Sequence, residues 1–250
     1  MTHVADIWRH PIKSHGREPL KSVALSKGKT MPFDRVWAIA HEAAKLDHDN
    51  PVWAQCANFS RGSKAQSLMA IEASFDESTH QITLTHPKRP SITINPDLGE
   101  DAERLIAWVL PLCPQNRALP TRIFKVPGRG MTDSDFPSVS INSWSSLRDF
   151  SEKAGVEISP LRFRGNIWLE DLPAWVELES VGKEIQIGGA RLKIVERTER
   201  CKATTANPET GKSDLDTLKI LKDNWGHLDF GVRAEVIESG QVSVGDQVSF

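Results

Sequence analysis

The chain has 250 residues, of which 26% are charged and 39% hydrophobic, and its formal net charge is −2. These values are typical of a globular protein with one large domain or two small ones. Because the chain has no net positive charge, composition argues against binding to nucleic acid or to an anionic membrane surface. No apolar run approaches the length of a membrane-spanning helix.

The three cysteines, Cys56, Cys113 and Cys201, have no Cys-x-x-Cys spacing. This pattern predicts neither a disulfide framework nor a zinc site, and free thiols indicate a reducing compartment. The N-terminal residues also lack the basic segment and apolar core of a secretion signal. We therefore expect a cytoplasmic protein.

Short strand patterns dominate the first half of the chain. They are rich in β-branched or aromatic residues and are separated by Pro, Gly, Asn or Asp. A helix is predicted over residues 99–112, because Ala102, Leu105 and Val109 share one face. The predicted strands are Val4–Trp8, Ser22–Leu25, Arg35–Ala40, Gln81–Thr85, Ser91–Ile94 and Arg122–Val126.

In the second half, a helix is predicted to start near Asn142 and to stop at Gly155, and a short one covers residues 214–223. Further strands are predicted at Trp168–Glu170, Glu184–Ile187, Ala190–Val195, Gly231–Ile237 and Gln247–Phe250. The whole pattern indicates a β-rich α+β fold.

Cys201 follows the strand pattern 190–195 and precedes the turn signal Asn-Pro-Glu-Thr-Gly at 207–211. The pattern therefore places a thiol where a strand opens into a loop, close in sequence to Arg200 and Lys202. Cationic neighbours favour the thiolate, which attacks electrophiles or binds soft metals. The alternative is a small buried residue whose charged neighbours point elsewhere.

Three polar clusters are further candidates for a binding site. Lys13 and Ser14 close the first strand and could bind an oxyanion, or Lys13 could be a solvated turn residue. Asp34-Arg35 opens a strand and could be a surface ion pair. Arg162-Phe163-Arg164 would, if extended, point both guanidinium groups to one face, which suits either an anionic ligand or a salt-bridged surface strand.

Together these motifs resemble the MOSC-domain family, named for the C-terminal domain of molybdenum cofactor sulfurases. The chain is similar in particular to its two-part members, which include the mitochondrial amidoxime-reducing component and YcbX-type proteins. The motifs that carry the resemblance are His-Pro-Ile-Lys-Ser at 10–14, Asp-Arg-Val-Trp at 34–37, Arg-Phe-Arg-Gly-Asn at 162–166, Arg-Cys at 200–201 with Thr-Thr at 204–205, and Val-Ser-Val-Gly-Asp-Gln-Val at 242–248.

The resemblance implies a fold of two parts: an N-terminal β-barrel-like domain at residues 1–98, and a MOSC β-barrel with a few peripheral helices at 99–250. It also implies a molybdenum–molybdopterin cofactor between them, with Cys201 as thiolate ligand of the metal and catalytic residue. The implied cofactor-binding residues are Lys13, Ser14, Arg35, Arg164 and Asn166, with Asp135 and Ser138 from a segment that aligns loosely.

The implied activity is reduction of N-hydroxylated or other N–O small compounds. Some relatives carry plant-type ferredoxin cysteines in a C-terminal extension, which this sequence lacks. We therefore expect separate electron-donor proteins of the flavin reductase, ferredoxin or cytochrome type. Two alternatives stay open: a sulfur or cofactor carrier that uses a Cys201 persulfide, and a cofactor-binding protein that has lost catalysis.

The sequence departs from the family pattern at three places. His10 stands where Tyr is usual, Gly165 stands where Pro is usual, and the stretch 55–61 lacks the pattern found in the reductases, where this region shapes the substrate mouth. Cys56 is expected to be a packed thiol rather than a second ligand, because nothing basic precedes it.

Overall fold

The structure is a computed structural model that describes all residues, 1–250. Strand accounts for 36% of the chain and helix for 22%, so the predicted β-rich α+β class is confirmed. The strands are β1 (His3–Arg9), β2 (Glu18–Leu20), β3 (Ser22–Leu25), β4 (Trp37–His41), β5 (Glu72–Asp76), β6 (Gln81–His86), β7 (Arg89–Ile94), β8 (Pro120–Lys125), β9 (Val139–Ser143), β10 (Ile167–Glu170), β11 (Glu184–Ile187), β12 (Ala190–Glu199), β13 (Asp229–Glu238), β14 (Gly240–Ser243) and β15 (Val248–Ser249).

Four α-helices and five 3₁₀ turns complete the fold. None of the helices is both long and apolar enough to cross a membrane. The helices are α1 (Gly99–Val109), α2 (Trp144–Ala154), α3 (Val176–Glu179) and α4 (Thr217–Trp225), and the 3₁₀ turns are Cys56–Asn58, Gln66–Ala70, Leu110–Leu112, Pro160–Phe163 and Lys202–Thr205.

The largest sheet has eight strands in the order β15-β11-β12-β13-β9-β10-β1-β2. All its neighbours are antiparallel except β9 and β10, which run parallel. The N-terminal strand β1 therefore lies beside β10, and β3 pairs with β14, so both ends of the chain build this part of the molecule. The hydrogen-bonded order ends at β15 on one side and at β2 on the other. Closure of the sheet into a barrel therefore stays a prediction.

The middle of the chain, from β4 to β8, forms a second group of sheets. It contains the pair β4-β8 and the three-stranded sheet β5-β6-β7, against which α1 packs. Its main core gathers apolar residues from Ile12 to Cys113, whereas the core of the large sheet joins Val4, Val23 and Leu25 to residues 139–242. The division at residues 98 and 99 stays a prediction, and the strand pairing shows that residues 3–25 hydrogen bond mainly with the C-terminal part.

Most predicted elements form, and the differences have local causes. Helix α2 begins at Trp144 rather than near Asn142, because residues 139–143 extend as β9 and the Ser143 hydroxyl caps the helix by accepting from the Ser146 amide. Gly155 ends α2 in the left-handed conformation, as predicted. The sequence pattern did not predict β2, β5, β9 or β14.

The segment around Arg162 differs from its predicted extended form. Pro160–Phe163 is a 3₁₀ turn, and Arg164 follows in the left-handed region at φ 50° and ψ 40°. The proposed alternation of the two guanidinium groups in a strand is therefore wrong, although the turn brings both side chains to the same cavity by another route.

Candidate functional site

One cavity collects most of the residues that the sequence singled out. It lies among the loops after β1 and before β4, the 3₁₀ turn before β10, and the end of β12. Seven of the eight predicted site residues line it, and Asp135 does not. Those that do are Lys13, Ser14, Arg35, Ser138, Arg164, Asn166 and Cys201.

Asp135 is exposed, and its main-chain oxygen accepts a hydrogen bond from Arg129 at 2.7 Å. Its neighbour Asp133 lines the cavity instead, together with Thr132. In the sequence the two carboxylates have the same turn-like surroundings, so only the fold distinguishes them. Ser138 lies on the cavity wall, where its hydroxyl accepts from the Ser134 hydroxyl at 2.6 Å.

Main-chain hydrogen bonds hold two N-terminal segments of the cavity wall together. The amide of Arg35 donates to the His10 carbonyl, and the amide of Lys13 donates to Trp37, each at 2.7 Å. The loops after β1 and before β4 therefore lie side by side, although the sequence separates them by about twenty residues.

Three of the lining residues have an uncommon backbone conformation. Ser14, Arg35 and Arg164 have φ angles of 63°, 54° and 50°, values that side chains other than glycine rarely adopt. Such strain persists where the surrounding structure enforces it, and it clusters at functional sites. The three loops are therefore shaped to aim particular side chains rather than only to connect strands.

Asp34 anchors the Arg35 loop from below. Its carboxylate has no solvent exposure, accepts the His10 amide at 2.8 Å and pairs with the Arg35 guanidinium. Burial alone would raise the pKa of Asp34, but Arg35 and the hydrogen bonds from His10 outweigh burial and lower it. The expectation of a surface ion pair is wrong, because this pair is buried.

Lys13 is held inside the protein rather than solvated. Its ammonium donates to the Met131 carbonyl at 2.7 Å and to the Asp133 carboxylate, and the residue is only 3% exposed. Both partners belong to the segment before β9, so Lys13 joins that segment to the loop after β1. Its charge still faces the cavity that it lines.

Asn166 has little hydrogen-bonding capacity left for a ligand. Its Oδ1 accepts from the amide and the hydroxyl of Ser140, at 3.1 and 2.8 Å, and its Nδ2 donates to the Trp8 carbonyl at 3.1 Å. These bonds tie the start of β10 to both neighbouring strands, β9 and β1. As placed, the amide joins strands beside the cavity and offers few free donors or acceptors to a ligand.

Cys201 lies where the sequence pattern placed it, after the last residue of β12 and before the 3₁₀ turn Lys202–Thr205. Its side chain is exposed and lines the cavity. The buried Arg162 fastens this turn by donating to the Thr205 carbonyl at 3.2 Å and pairing with Asp214 at 2.7 Å. The thiol is thus presented on a turn that a buried guanidinium holds in place.

Arg200 lies behind the thiol and is held without any carboxylate. Its guanidinium donates to the carbonyls of Phe163 and Phe230 and to Asn142 Oδ1, and it stacks 5.3 Å from the centre of the Phe163 ring. Burial and the charge of Arg233 together lower the pKa of Arg200 to about 9. The nearby Cys201 side chain raises this pKa, but by less than burial lowers it. The group is a fixed charge beside the cysteine.

Two glycines make room for the Asn142 side chain that holds Arg200. A Cβ on Gly165 would lie 2.1 Å from Asn142 Nδ2, and one on Gly231 would lie 1.9 Å from Asn142 Oδ1. Neither distance is compatible with a real side chain. The glycine that stands in place of the usual Pro therefore has a packing reason in this chain.

Positive charge dominates the cavity wall. Seven cations line it against two carboxylates, Asp133 and Glu199. Four of the cations are paired with a carboxylate within 4 Å. The three without such a partner are Arg61, Arg164 and Arg200, and the four paired ones are Lys13, Arg35, Arg162 and Arg233.

Three buried polar atoms of lining residues have no hydrogen-bond partner in the protein: Arg162 Nε, Arg164 Nη1 and Thr198 Oγ1. Leaving such atoms unpaired costs about 1–3 kcal/mol each. Excess positive charge and unpaired donors fit a ligand with anionic and hydrogen-bond-accepting groups, as a phosphate joined to a pterin would have. Sequence reasoning did not name Arg61, Arg233 or Thr198 as site residues, although Arg61 ends the stretch 55–61 that was noted as departing from the family pattern.

Cys56 also lines this cavity and is half-buried. Arg61, which follows the cysteine by five positions in sequence, donates to its Sγ at 2.8 Å. The position differs from the packed thiol that the sequence suggested. No group of three or more His, Cys, Asp or Glu side chains is placed to hold a metal ion.

Comparisons with known proteins agree with these motifs. Residues 130–249 match the MOSC domain. Mitochondrial amidoxime-reducing component 1 of Mus musculus is 24% identical, over 98% of this chain and 81% of its own. Molybdenum cofactor sulfurase of Caenorhabditis elegans is 31% identical over 47% of this chain, a match that spans 17% of that protein.

Among solved structures, the YuaD protein of Bacillus subtilis aligns over 99% of this chain and 94% of its own, with a TM-score of 0.45 and 14% identity. The match to the MOSC domain includes Arg164, Asn166 and Cys201 and excludes Lys13, Ser14 and Arg35. Residues 130–249 of the chain are therefore a MOSC domain.

Proposed function

We propose that this protein binds a molybdenum–molybdopterin cofactor and reduces N–O bonds of small N-hydroxylated compounds. The observation that carries the proposal is the single cavity in which an exposed thiol, Cys201, faces an excess of cations and unpaired buried donors. The similarity to an amidoxime-reducing component along nearly the whole chain supports the same conclusion.

In this proposal the chain's residues divide the work of holding the cofactor. Cys201 is the thiolate ligand of the metal, since a polarisable sulfur suits a soft metal. Ser14 and Arg164 donate to the phosphate and to the pterin edge, and Lys13 and Arg35 contribute charge. Asn166 and Ser138 would position these groups.

When bound, the cofactor supplies two-electron redox chemistry, and the protein supplies orientation, charge and an enclosed surface. For an amidoxime, the N–O bond breaks, two electrons and two protons are taken up, and an amidine and water are released. The electrons come from a separate donor protein. We place the reaction in the cytoplasm, as the free thiols suggest.

The test combines metal analysis with turnover. Wild type and Cys201→Ala are produced in a cofactor-competent host, and molybdenum per protein is measured together with benzamidoxime reduction by reduced viologen. We expect near-stoichiometric molybdenum and turnover in the wild type, and loss of both in the variant, whose exposed position leaves the fold intact. An alanine variant that keeps molybdenum and activity would contradict the ligand role.

A second function has its own supporting observation. Cys201 is exposed and lies within the match to the MOSC domain, and the similarity to the molybdenum cofactor sulfurase covers 47% of this chain. In this alternative Cys201 carries a persulfide for transfer to another protein. Release of thiocyanate on treatment with cyanide, absent in Cys201→Ala, together with a lack of viologen-driven turnover, would favour the carrier over the reductase.

A further inference from the structure

Two shallow depressions continue the surface outward from the cavity. The first shares Arg61 with the cavity and is also lined by His41, Lys64 and Arg117. The second shares Cys113 and Pro114 with the first. It is lined further by Lys88, Arg89 and Lys212. The three hollows form one connected surface.

We call the six cations of the two depressions the basic face: Arg61, Lys64, Lys88, Arg89, Arg117 and Lys212. No Asp or Glu lines either depression, and none of the six cations has a carboxylate within 4 Å. Some cations elsewhere on the surface are paired, such as Arg148 and Lys219, and others are not, so what distinguishes the basic face is that its cations lie together with no carboxylate among them. Since the whole chain carries a net charge of −2, this positive field is local.

The shape of the basic face suits a protein better than a small anion. Lys64, Lys88, Arg117 and Lys212 are exposed side chains on separate loops rather than convergent donors in a pocket. Unpaired exposed cations raise association rates with partners of opposite charge and set their orientation. Glu209, in the adjoining turn, does not line the depressions.

The basic face is connected directly to the turn that carries Cys201. Gln66, which lines the second depression, donates to Thr205 Oγ1 at 3.2 Å, and Thr205 belongs to the 3₁₀ turn after Cys201. Gly211, with φ 66°, packs so closely on Ser67 that an added Cβ would lie 2.7 Å from the Ser67 Cα. Between a protein bound to this face and Cys201 would lie only the turn at 207–211 and the 3₁₀ turn Lys202–Thr205.

We propose that the basic face is the docking surface for an acidic electron-carrier protein. This inference rests on the reductase function proposed above, which needs electrons from a separate protein. The reduced carrier gives up one electron at a time and becomes oxidised, so two encounters supply the two electrons of each turnover. The location follows from charge and from the continuity of the face with the cavity.

The experiment uses charge reversal with a matched control. Lys88→Glu/Lys212→Glu changes two exposed lysines whose side chains make no ion pair, so the fold should tolerate it. The control, Lys27→Glu/Lys153→Glu, makes the same charge change at exposed positions outside both depressions. Binding of an acidic plant-type ferredoxin and of an acidic flavodoxin is measured by calorimetry at low and high salt.

We expect at least one carrier to bind the wild type, with an affinity that falls as salt rises. Reversal on the basic face should weaken binding about tenfold or more, and the control should change it less than about twofold. Turnover with reduced viologen, which needs no docking, should stay the same in both variants.

Equal binding by both variants, or no carrier binding at all, would overturn the proposal. Binding of heparin or of phosphatidylserine vesicles to this face in place of either carrier would also overturn it. A wild type that binds a carrier but shows no viologen-driven turnover would contradict the reductase function and leave the docking surface standing.

Discussion

Two arginines near the proposed metal site, Arg200 and Arg164, lack a carboxylate partner but differ in what their guanidinium groups touch. Arg200 donates to the carbonyls of Phe163 and Phe230 and to Asn142 Oδ1. Arg164 makes one hydrogen bond, to the Gly16 carbonyl at 3.0 Å, and its buried Nη1 has no partner. Burial lowers the pKa of both, with neighbouring arginines acting in the same direction.

The difference separates a positioning residue from a ligand-binding one. Each nitrogen of the Arg200 guanidinium donates a hydrogen bond to the protein, so this group holds its neighbours in place and supplies a fixed charge. A guanidinium with an unpaired buried donor pays about 1–3 kcal/mol until something accepts its hydrogen bond. We therefore expect these two arginines of the cavity wall to have different roles, although the sequence presents each of them as part of a motif.

The largest effect should come from disturbing the support of Arg200. Gly231→Ala would bring a Cβ to 1.9 Å from Asn142 Oδ1, at a φ of 72° that alanine tolerates poorly. We expect a loss of about 3 kcal/mol or more in the free energy of unfolding, measured by urea denaturation. Gly226→Ala is the matched control, because Gly226 has a φ of 76° and a Cβ there meets nothing within 4 Å; equal stability of the two variants would refute the packing role of Asn142.

Low pH should lower the stability of the protein mainly through two buried histidines near Arg164, His10 and His15. Burial lowers the pKa of His15 to about 4, aided by Arg164, against the bond to the Lys13 carbonyl. Burial, Arg164 and Arg35 also lower the pKa of His10. Because these histidines bind protons more readily in the unfolded chain than in the folded one, the free energy of unfolding should fall as pH drops from about 6.5 to about 4.

For His15 alone the loss approaches about 3 kcal/mol over that interval. His15→Asn keeps a donor near the Lys13 carbonyl and removes the titrating group. Its unfolding free energy should depend less steeply on pH than that of the wild type between about pH 4 and 6.5. Parallel pH profiles for the two proteins would show that His15 is not responsible.

Replacing Arg164 tests the ligand-binding side of the comparison. Arg164→Ala removes one hydrogen bond and one unpaired donor, so stability should change by less than about 1 kcal/mol. Molybdenum and pterin content should fall, because the anionic part of the cofactor loses a donor. Unchanged cofactor content would make Arg164 a cation without a binding role.

The smallest effect is expected from Cys56→Ser. The serine hydroxyl can still accept from Arg61, so the contact at the cavity mouth persists. Viologen-driven turnover and molybdenum content should stay within about twofold of the wild type. A large loss in turnover with normal molybdenum would show that the Cys56 sulfur itself takes part.

Local patterns predicted much of the fold. The alternation of residues 81–94, the apolar face of α1 and the Gly155 stop each depend on neighbours within a few positions, and each forms. The strands β2, β5, β9 and β14 were missed because they are short and carry polar residues. β2 and β5 pair with strands close in sequence, β1 and β6, whereas β9 and β14 pair with the distant strands β13 and β3. For β9 and β14, formation is a tertiary effect that periodicity does not encode.

The sequence by itself determined the class of fold, the position of Cys201 at the end of a strand, and the set of motifs that meet at one cavity. Only the tertiary structure decided which polar groups are already satisfied by the protein, as in Asn166 and Arg200, and which are left free, as in Arg164. It also brought in Arg61 and Thr198 and set Asp133 in place of Asp135. The physical reason is that hydrogen-bond saturation and charge compensation depend on groups far apart in the chain, which only folding brings within reach.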